Sequence, residues 1–203
     1  MARKKIKFTK GELKKQRDSK TQFQRYLPIL QLKQQQLQLE VQKTEARLKK
    51  LKEEVEQIKE DMVSWIGVLA EPKIDLTPWV KPKDVVTSTT NIAGVDVPVF
   101  KRADFAEVDY DIFSMPLWVD SAVDEIRRLS ELIAETDITQ EEHNILNREL
   151  KVTMQRVNLF EKVKIPESKE NIRVIQIYLG DQYTNAVGRS KIAKRKIEVL
   201  LKT

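Results

Sequence analysis

The sequence predicts an all-α fold: a long antiparallel two-helix coiled coil with a small proline-rich β-hairpin insert between the helices. Three observations predict it. An apolar seam with a 3.5-residue period runs from Leu13 to Leu69. A second seam occupies the C-terminal half. Between the two, five of the seven prolines cluster from Pro72 to Pro116, where the heptads stop.

Alternating steps of three and four from Leu13 reach Leu37, Val41, Leu48, Leu51, Val55, Ile58, Met62 and Trp65, and thirteen of the seventeen positions are apolar. Helices on a globular core drift off such a register, because their own period is 3.6. At 1.5 Å per residue the segment would be roughly 85 Å long, so the sequence reads as a rod that needs a partner helix. Thr9 with Glu12 three residues on forms a capping box that opens the helix. Pro28 interrupts the heptads without changing their phase, which predicts one kinked helix over residues 1–70.

Residues 71–116 form the connector. Two Val/Thr-rich runs flank Ala93-Gly94, predicting a hairpin at about 84–101. Val86, Thr89, Asn91, Gly94, Val97 and Pro98 belong to it, and Pro98 confines its strand to an edge. A two-stranded ribbon needs a surface to lean on, and Trp79, Phe100, Phe105, Tyr110 and Phe113 are candidates for packing at its base. The second helical region, 117–203, carries Val119, Val123, Ile126, Leu129, Ile133, Leu146, Leu150, Val157 and Phe160 on one face. Pro166 is expected to bend or break it, with Ile165 pushed out of the αR region. Ile172, Ile175, Leu179 and Tyr183 then resume the seam, with a one-residue stutter between the last two. Two long helices around a compact insert fold back antiparallel. That brings both chain ends to one tip and leaves the hairpin at or near the other end.

The charge pattern gives this arrangement meaning. The net charge is +6, yet residues 1–20 carry nine Lys or Arg against two acids, and residues 189–203 carry six against one. The tip would therefore concentrate Lys4, Lys5, Lys10, Arg17, Lys191, Lys194, Arg195 and Lys196. The sequence has no cysteine, so disulfides and thiolate metal sites are excluded. His143 is the single histidine and lies in a polar run, which reads as a solvated helix face. The five glycines form neither GxxxxGK[ST] nor GxGxxG. No catalytic residue, metal site or cofactor site is expected. The longest charge-free apolar run, Met62 to Ala70, is about half a membrane span. With no signal-peptide core either, the chain reads as soluble and intracellular.

Several blocks carry a family resemblance. Thr9-Lys10-Gly11-Glu12-Leu13 and Arg25-Tyr26-Leu27-Pro28-Ile29-Leu30-Gln31-Leu32-Lys33 resemble the N-terminal signature of the D subunit of V/A-type rotary ATPases. The insert from Asn91 to Pro98, the opening Pro116-Leu117-Trp118-Val119-Asp120, and the block from Arg156 to Lys162 with Ile165-Pro166 are similar to that family in matching order. So are Ile172-Arg173, Tyr178-Leu179-Gly180-Asp181 and the run from Lys191 to Lys196. The Arg156–Lys162 block is the most specific, because heptads alone do not demand Asn158 or Phe160.

The resemblance implies a non-catalytic central rotor shaft. Its termini would enter the hexamer of catalytic and non-catalytic subunits, and its lower part would bind the small F subunit of the central stalk. Its foot would dock on the subunit capping the membrane ring. It also implies a cytoplasmic protein peripheral to the plasma membrane, coupling ATP synthesis or hydrolysis to proton or sodium transport. A shaft turning inside a sleeve argues against large apolar patches at its tip. Two rival readings remain on the residues alone. One is a nucleic-acid clamp using the basic tip, opposed by the lack of interleaved aromatics beyond Phe8. The other is a plain coiled-coil adaptor, which does not explain the insert.

Overall fold

The computed structural model describes residues 6–67, 76–107, 115–116 and 118–201. In chain order it contains α1 (Lys10–Val63), the short α2 (Thr77–Val80), β1 (Pro82–Ile92), β2 (Val95–Phe105), α3 (Trp118–Asn158), a π-helical turn (Leu159–Lys164) and α4 (Ile165–Leu200). Two compact units result: one joins residues 1–32 with 153–203, the other is 33–152.

α1 starts as the sequence predicts, with half of the capping box made. The Glu12 N–H donates to Thr9 Oγ1 at 3.2 Å, while the Glu12 carboxylate accepts from Gln16 Nε2 at 2.8 Å instead of reaching back. Pro28 lies inside a single helix. Within unit 33–152 the predicted seam is the buried face: Leu37, Leu48, Leu51, Val55 and Met62 are buried, and Val41 and Ile58 half-buried. Leu69, Tyr110 and Phe113 fall outside the described residues.

Contacts between distant residues follow antiparallel order in each unit separately. In the first, the rings of Phe8 and Tyr178 lie 4.9 Å apart, Asn171 Nδ2 donates to Gln16 Oε1 at 3.3 Å, and Phe23 meets Phe160 at 5.1 Å. In the second, Lys33 pairs with Glu149 at 3.2 Å and Arg47 with Glu135 at 2.6 Å.

The hairpin is longer than predicted, with two 11-residue strands. Its turn is the one the sequence marks, and both central residues have positive φ, 51° at Ala93 and 77° at Gly94, as a type I′ turn requires. The Asn91 side chain secures it: Oδ1 accepts from the Gly94 N–H at 3.0 Å, and Nδ2 donates to Asp96 Oδ1 at 2.6 Å. Ala93 stays in the left-handed region because its methyl packs with Ile92, Val95 and Val97 on Leu37 of α1 and Leu146 of α3. The ribbon was expected at or near the end of the coil. Its turn instead sits on Leu37, roughly 39 Å of helix before the end of α1 at Val63. Burial decides this, since a lone ribbon cannot cover its own apolar face.

Pro166 does not have the predicted effect. Ile165 keeps helical angles, φ −67° and ψ −49°, and the helix neither breaks nor leaves the αR region. The accommodation comes one turn earlier. The Ile165 N–H donates to the Phe160 carbonyl, five residues back rather than four.

The wider turn inserts one residue into the seam. Strict spacing from Thr153 and Val157 would bring Phe160, Lys164, Glu167, Asn171, Val174 and Tyr178 inward. After Phe160 the observed inward row is one later: Ile165, Ser168 and Ile175 are buried, and Ile172 and Leu179 half-buried. Fully burying an aliphatic side chain contributes about 1.5–3 kcal/mol, against about 1 kcal/mol for one backbone hydrogen bond. Ile165, Ile172, Ile175 and Leu179 in place of Lys164, Asn171, Val174 and Tyr178, with Ser168 in place of Glu167, therefore outweigh a locally irregular ladder.

A buried polar layer interrupts the apolar face of unit 33–152, where Thr44, Thr139 and Glu142 are all buried. Burial pushes the Glu142 carboxyl above its usual pKa; Arg47 opposes the shift and Glu40 adds to it.

Two measurements check this packing. Ala93→Val puts a β-branched residue at positive φ and is expected to destabilise the chain by about 2 kcal/mol in urea unfolding. Ala93→Gly trades relief of strain against a lost methyl contact and is expected within about 0.5 kcal/mol of the parent. Glu142 is held more readily protonated in the folded chain than in the unfolded one. Its charge therefore costs stability as pH rises through its unfolded pKa towards the raised folded one. Glu142→Gln is expected to stabilise the protein at neutral pH, with the gain vanishing near pH 4 in unfolding titrations.

Candidate functional site

Among the described residues no group of His, Asp or Glu is arranged to hold a metal ion. His143, read from sequence as solvated, has its Nδ1 buried without a hydrogen-bond partner. An open groove along α1 is lined by Leu48, Lys49, Lys52, Glu53 and Glu56, a charged helix face with no convergent polar set. The surfaces with chemical character are the charged segments and the ribbon.

Charge separates between the two units. Residues 1–32 with 153–203 hold 21 Lys or Arg against seven Asp or Glu, whereas residues 33–152 hold 16 against 24. Lys4 and Lys5 lie outside the described residues. Lys10, the first residue of α1, places its ammonium 5.0 Å from the centre of the Tyr183 ring, and Arg17 is exposed about two turns further along the same face. Lys191, Lys194, Arg195 and Lys196 are exposed on α4, with the Lys194 ammonium 3.8 Å from the Glu198 carboxylate.

The C-terminal basic residues are therefore not opposite Lys10, as the two-ended tip had them. They begin eight residues beyond Tyr183, roughly 12 Å along the helix, and Lys196 lies roughly 20 Å along. The offset arises because α1 starts at Lys10 while α4 runs on to Leu200. It has a second consequence. From Thr184 to Leu201 every residue except the half-buried Gly188 is exposed, including Val187, Ile192, Ile197, Leu200 and Leu201. Exposed apolar side chains thus accompany the basic ones along this stretch of α4.

The hairpin residues divide by face. Val97 is fully buried against Leu37 and Leu146, and Val86 and Pro98 are half-buried. Thr89, Asn91 and Gly94 are exposed. A bulge lies between the Val86–Arg102 and Thr87–Phe100 pairs, so Lys101 is the extra residue on β2. Both outer strand edges remain open to pairing within this two-stranded sheet.

Sequence reasoning missed Arg127. Its Nε donates to the Trp79 carbonyl at 2.8 Å, a terminal nitrogen donates to the Ala106 carbonyl at 2.6 Å, and its guanidinium lies 5.3 Å from the centre of the Phe105 ring. One side chain of α3 thus ties down α2 and the base of the ribbon. In the sequence it is one more charged residue on a helical face, and nothing marks its planar fork as the match for two backbone carbonyls.

Arg127→Ala removes two charged hydrogen bonds and is expected to cost about 2–4 kcal/mol, with Arg127→Lys recovering less than half. Faster amide exchange in β1 and β2 is the reporting measurement.

A family model for the D subunit of ATP synthase matches residues 12–195. The chain is 44% identical over 193 residues to the V-type ATP synthase D subunit of Borreliella burgdorferi, covering 95% of each chain. It is 31% identical over 195 residues to the protein of that name from Chlamydia caviae, covering 95% of this chain and 94% of the relative. The Chlamydia pneumoniae protein is 30% identical over 198 residues, with 96% and 94% covered. A match of this length, spanning both seams and the hairpin between them, shows that the chain belongs to the family of ATP synthase D subunits.

Proposed function

We propose that the chain is the central-stalk rotor subunit of a V-type ATP synthase. It transmits rotation between the ion-translocating membrane ring and the catalytic hexamer, and so couples ATP synthesis or hydrolysis to proton or sodium transport. It contributes no catalytic residue. Residues 1–70 and 117–203 form the two helices of an antiparallel coiled coil, and residues 71–116 form the connector that carries the hairpin. The observation that carries this reading is the antiparallel order of contacts within each unit, Phe8–Tyr178 to Phe23–Phe160 in one and Lys33–Glu149 to Arg47–Glu135 in the other. Paired helices resist twisting better than a single solvated helix does.

The basic segment is the part that meets the head. Lys4, Lys5, Lys10, Arg17, Lys191, Lys194, Arg195 and Lys196 supply screened attraction to acidic sleeve surfaces, and exposed pairs of this kind contribute only about 0–1 kcal/mol each. Like charges gathered in one unit repel and cost stability, so a functional demand is the simpler account of their segregation. The exposed apolar side chains of α4 add a desolvated component to that contact. The small F subunit and the ring-capping subunit bind the more acidic part of the chain, and the complex holds the protein at the cytoplasmic face of the plasma membrane. No described helix is long and apolar enough to cross a membrane itself.

A native pull-down with mass spectrometry should recover the hexamer subunits. Reversal of Lys10, Arg17, Lys191 and Arg195 to Glu is expected to slow assembly onto the head and reduce its salt sensitivity, leaving binding of the small F subunit intact. Normal assembly and coupling of that variant at low salt would sink this assignment of the basic segment.

A further inference from the structure

The six residues Leu159–Lys164 are the one π-helical segment among the described residues, and they coincide with the Arg156–Lys162 block that heptad packing leaves unexplained. The segment is pinned on both sides. Upstream, Phe160 meets Phe23 of α1 at 5.1 Å and Val157 is buried; downstream, Ile165 and Ser168 are buried. Between these anchors, Leu159 and Val163 are 44% and 48% exposed, and Glu161 and Lys162 are exposed as well. Immediately beyond comes Pro166, which has no N–H to give to the ladder.

The register makes this placement informative. If one residue between Phe160 and Ile165 were absent, Ile165, Ser168, Ile172, Ile175 and Leu179 would fall on strict three-four spacing from Phe160. A regular α-helix would then bury the same side chains with no irregular turn. The extra residue is therefore not demanded by the seam that surrounds it. It leaves a turn whose wide five-residue hydrogen bonds can lengthen or shift within the segment while the packed residues on either side keep their register.

We propose that Leu159–Ile165 is a torsional joint: twist applied along α3 and α4 is taken up by slight over- and underwinding of this wide turn, where the hydrogen-bond ladder is irregular, with the seam on either side kept in register. Its mechanical role rests on the rotor reading given above, whereas its local softness belongs to the chain alone. The anchors confine the motion to about one and a half turns of helix. The exposed side chains on the turn lose no packing as it winds and unwinds.

Native-state hydrogen exchange on the isolated full chain tests the softness directly. Amides of Leu159–Ile165 are expected to exchange at least about tenfold faster than those of Thr153–Val157 and Ile172–Leu179, the range separating local from sub-global opening. Deletion of the exposed Glu161 should keep the helical circular dichroism and bring the remaining joint amides within about threefold of their flanks. Uniform protection in the parent protein overturns the proposal, as does undiminished fast exchange in a folded deletion variant. If the deletion fails to fold, the parent profile still decides. These readouts do not depend on assembly, so they stand or fall separately from the rotor reading. In the assembled ATPase, the deletion should narrow the angular fluctuations of a probe on the stalk, and unchanged fluctuations would refute the mechanical role.

Discussion

The inward row of side chains is the constraint on which the other features depend. In unit 33–152 it is Leu37, Leu48, Leu51, Val55 and Met62 on α1, with Val119, Val123 and Leu146 buried on α3. In the other unit it is Val157, Ile165 and Ile175. Because the row is apolar and its neighbours are Lys, Glu and Gln, any rotation of a helix about its axis exposes hydrocarbon and buries charge. That penalty is large enough to hold α1 helical through Pro28 and to impose a π turn ahead of Pro166. Backbone irregularity is the smaller cost in both places.

The same constraint recruits the ribbon. A two-stranded sheet has no core of its own, and its turn finds one where Leu37 and Leu146 present a buried surface. At its other end, Arg127 supplies directional bonds in place of apolar area, clamping two backbone carbonyls that would otherwise need solvent. One end is thus held by packing and the other by charge-assisted hydrogen bonds, leaving Thr89, Asn91 and the strand edges outward. Where packing stops, on α4 beyond Tyr183, the surface becomes basic and apolar together.

Much of this was legible from spacing alone. The heptads named the buried face of α1 almost residue by residue, since a 3.5-residue period fixes which side chains share a stripe. Thr9 with Glu12 marked the helix start, and Ala93-Gly94 between β-prone runs marked the turn, because each rests on local geometry within one turn of chain. The charge asymmetry and the family-like blocks were equally visible, as both are properties of order along the chain.

Tertiary structure decided what depends on a partner distant in sequence. Strand length and the seat of the ribbon on Leu37 and Leu146 follow from burial between segments far apart along the chain, which no local pattern encodes. The role of Arg127 depends on two carbonyls brought to it by the fold. The offset that carries Lys191–Lys196 beyond Lys10 follows from which residues of the two helices meet, and periodicity sets only the face, not the axial alignment. Pro166 is the sharpest case. The sequence marked it as a point where the helix would bend or break, and only packing chose a widened turn over a break, because Ile165, Ile172, Ile175 and Leu179 had more to gain by staying inward.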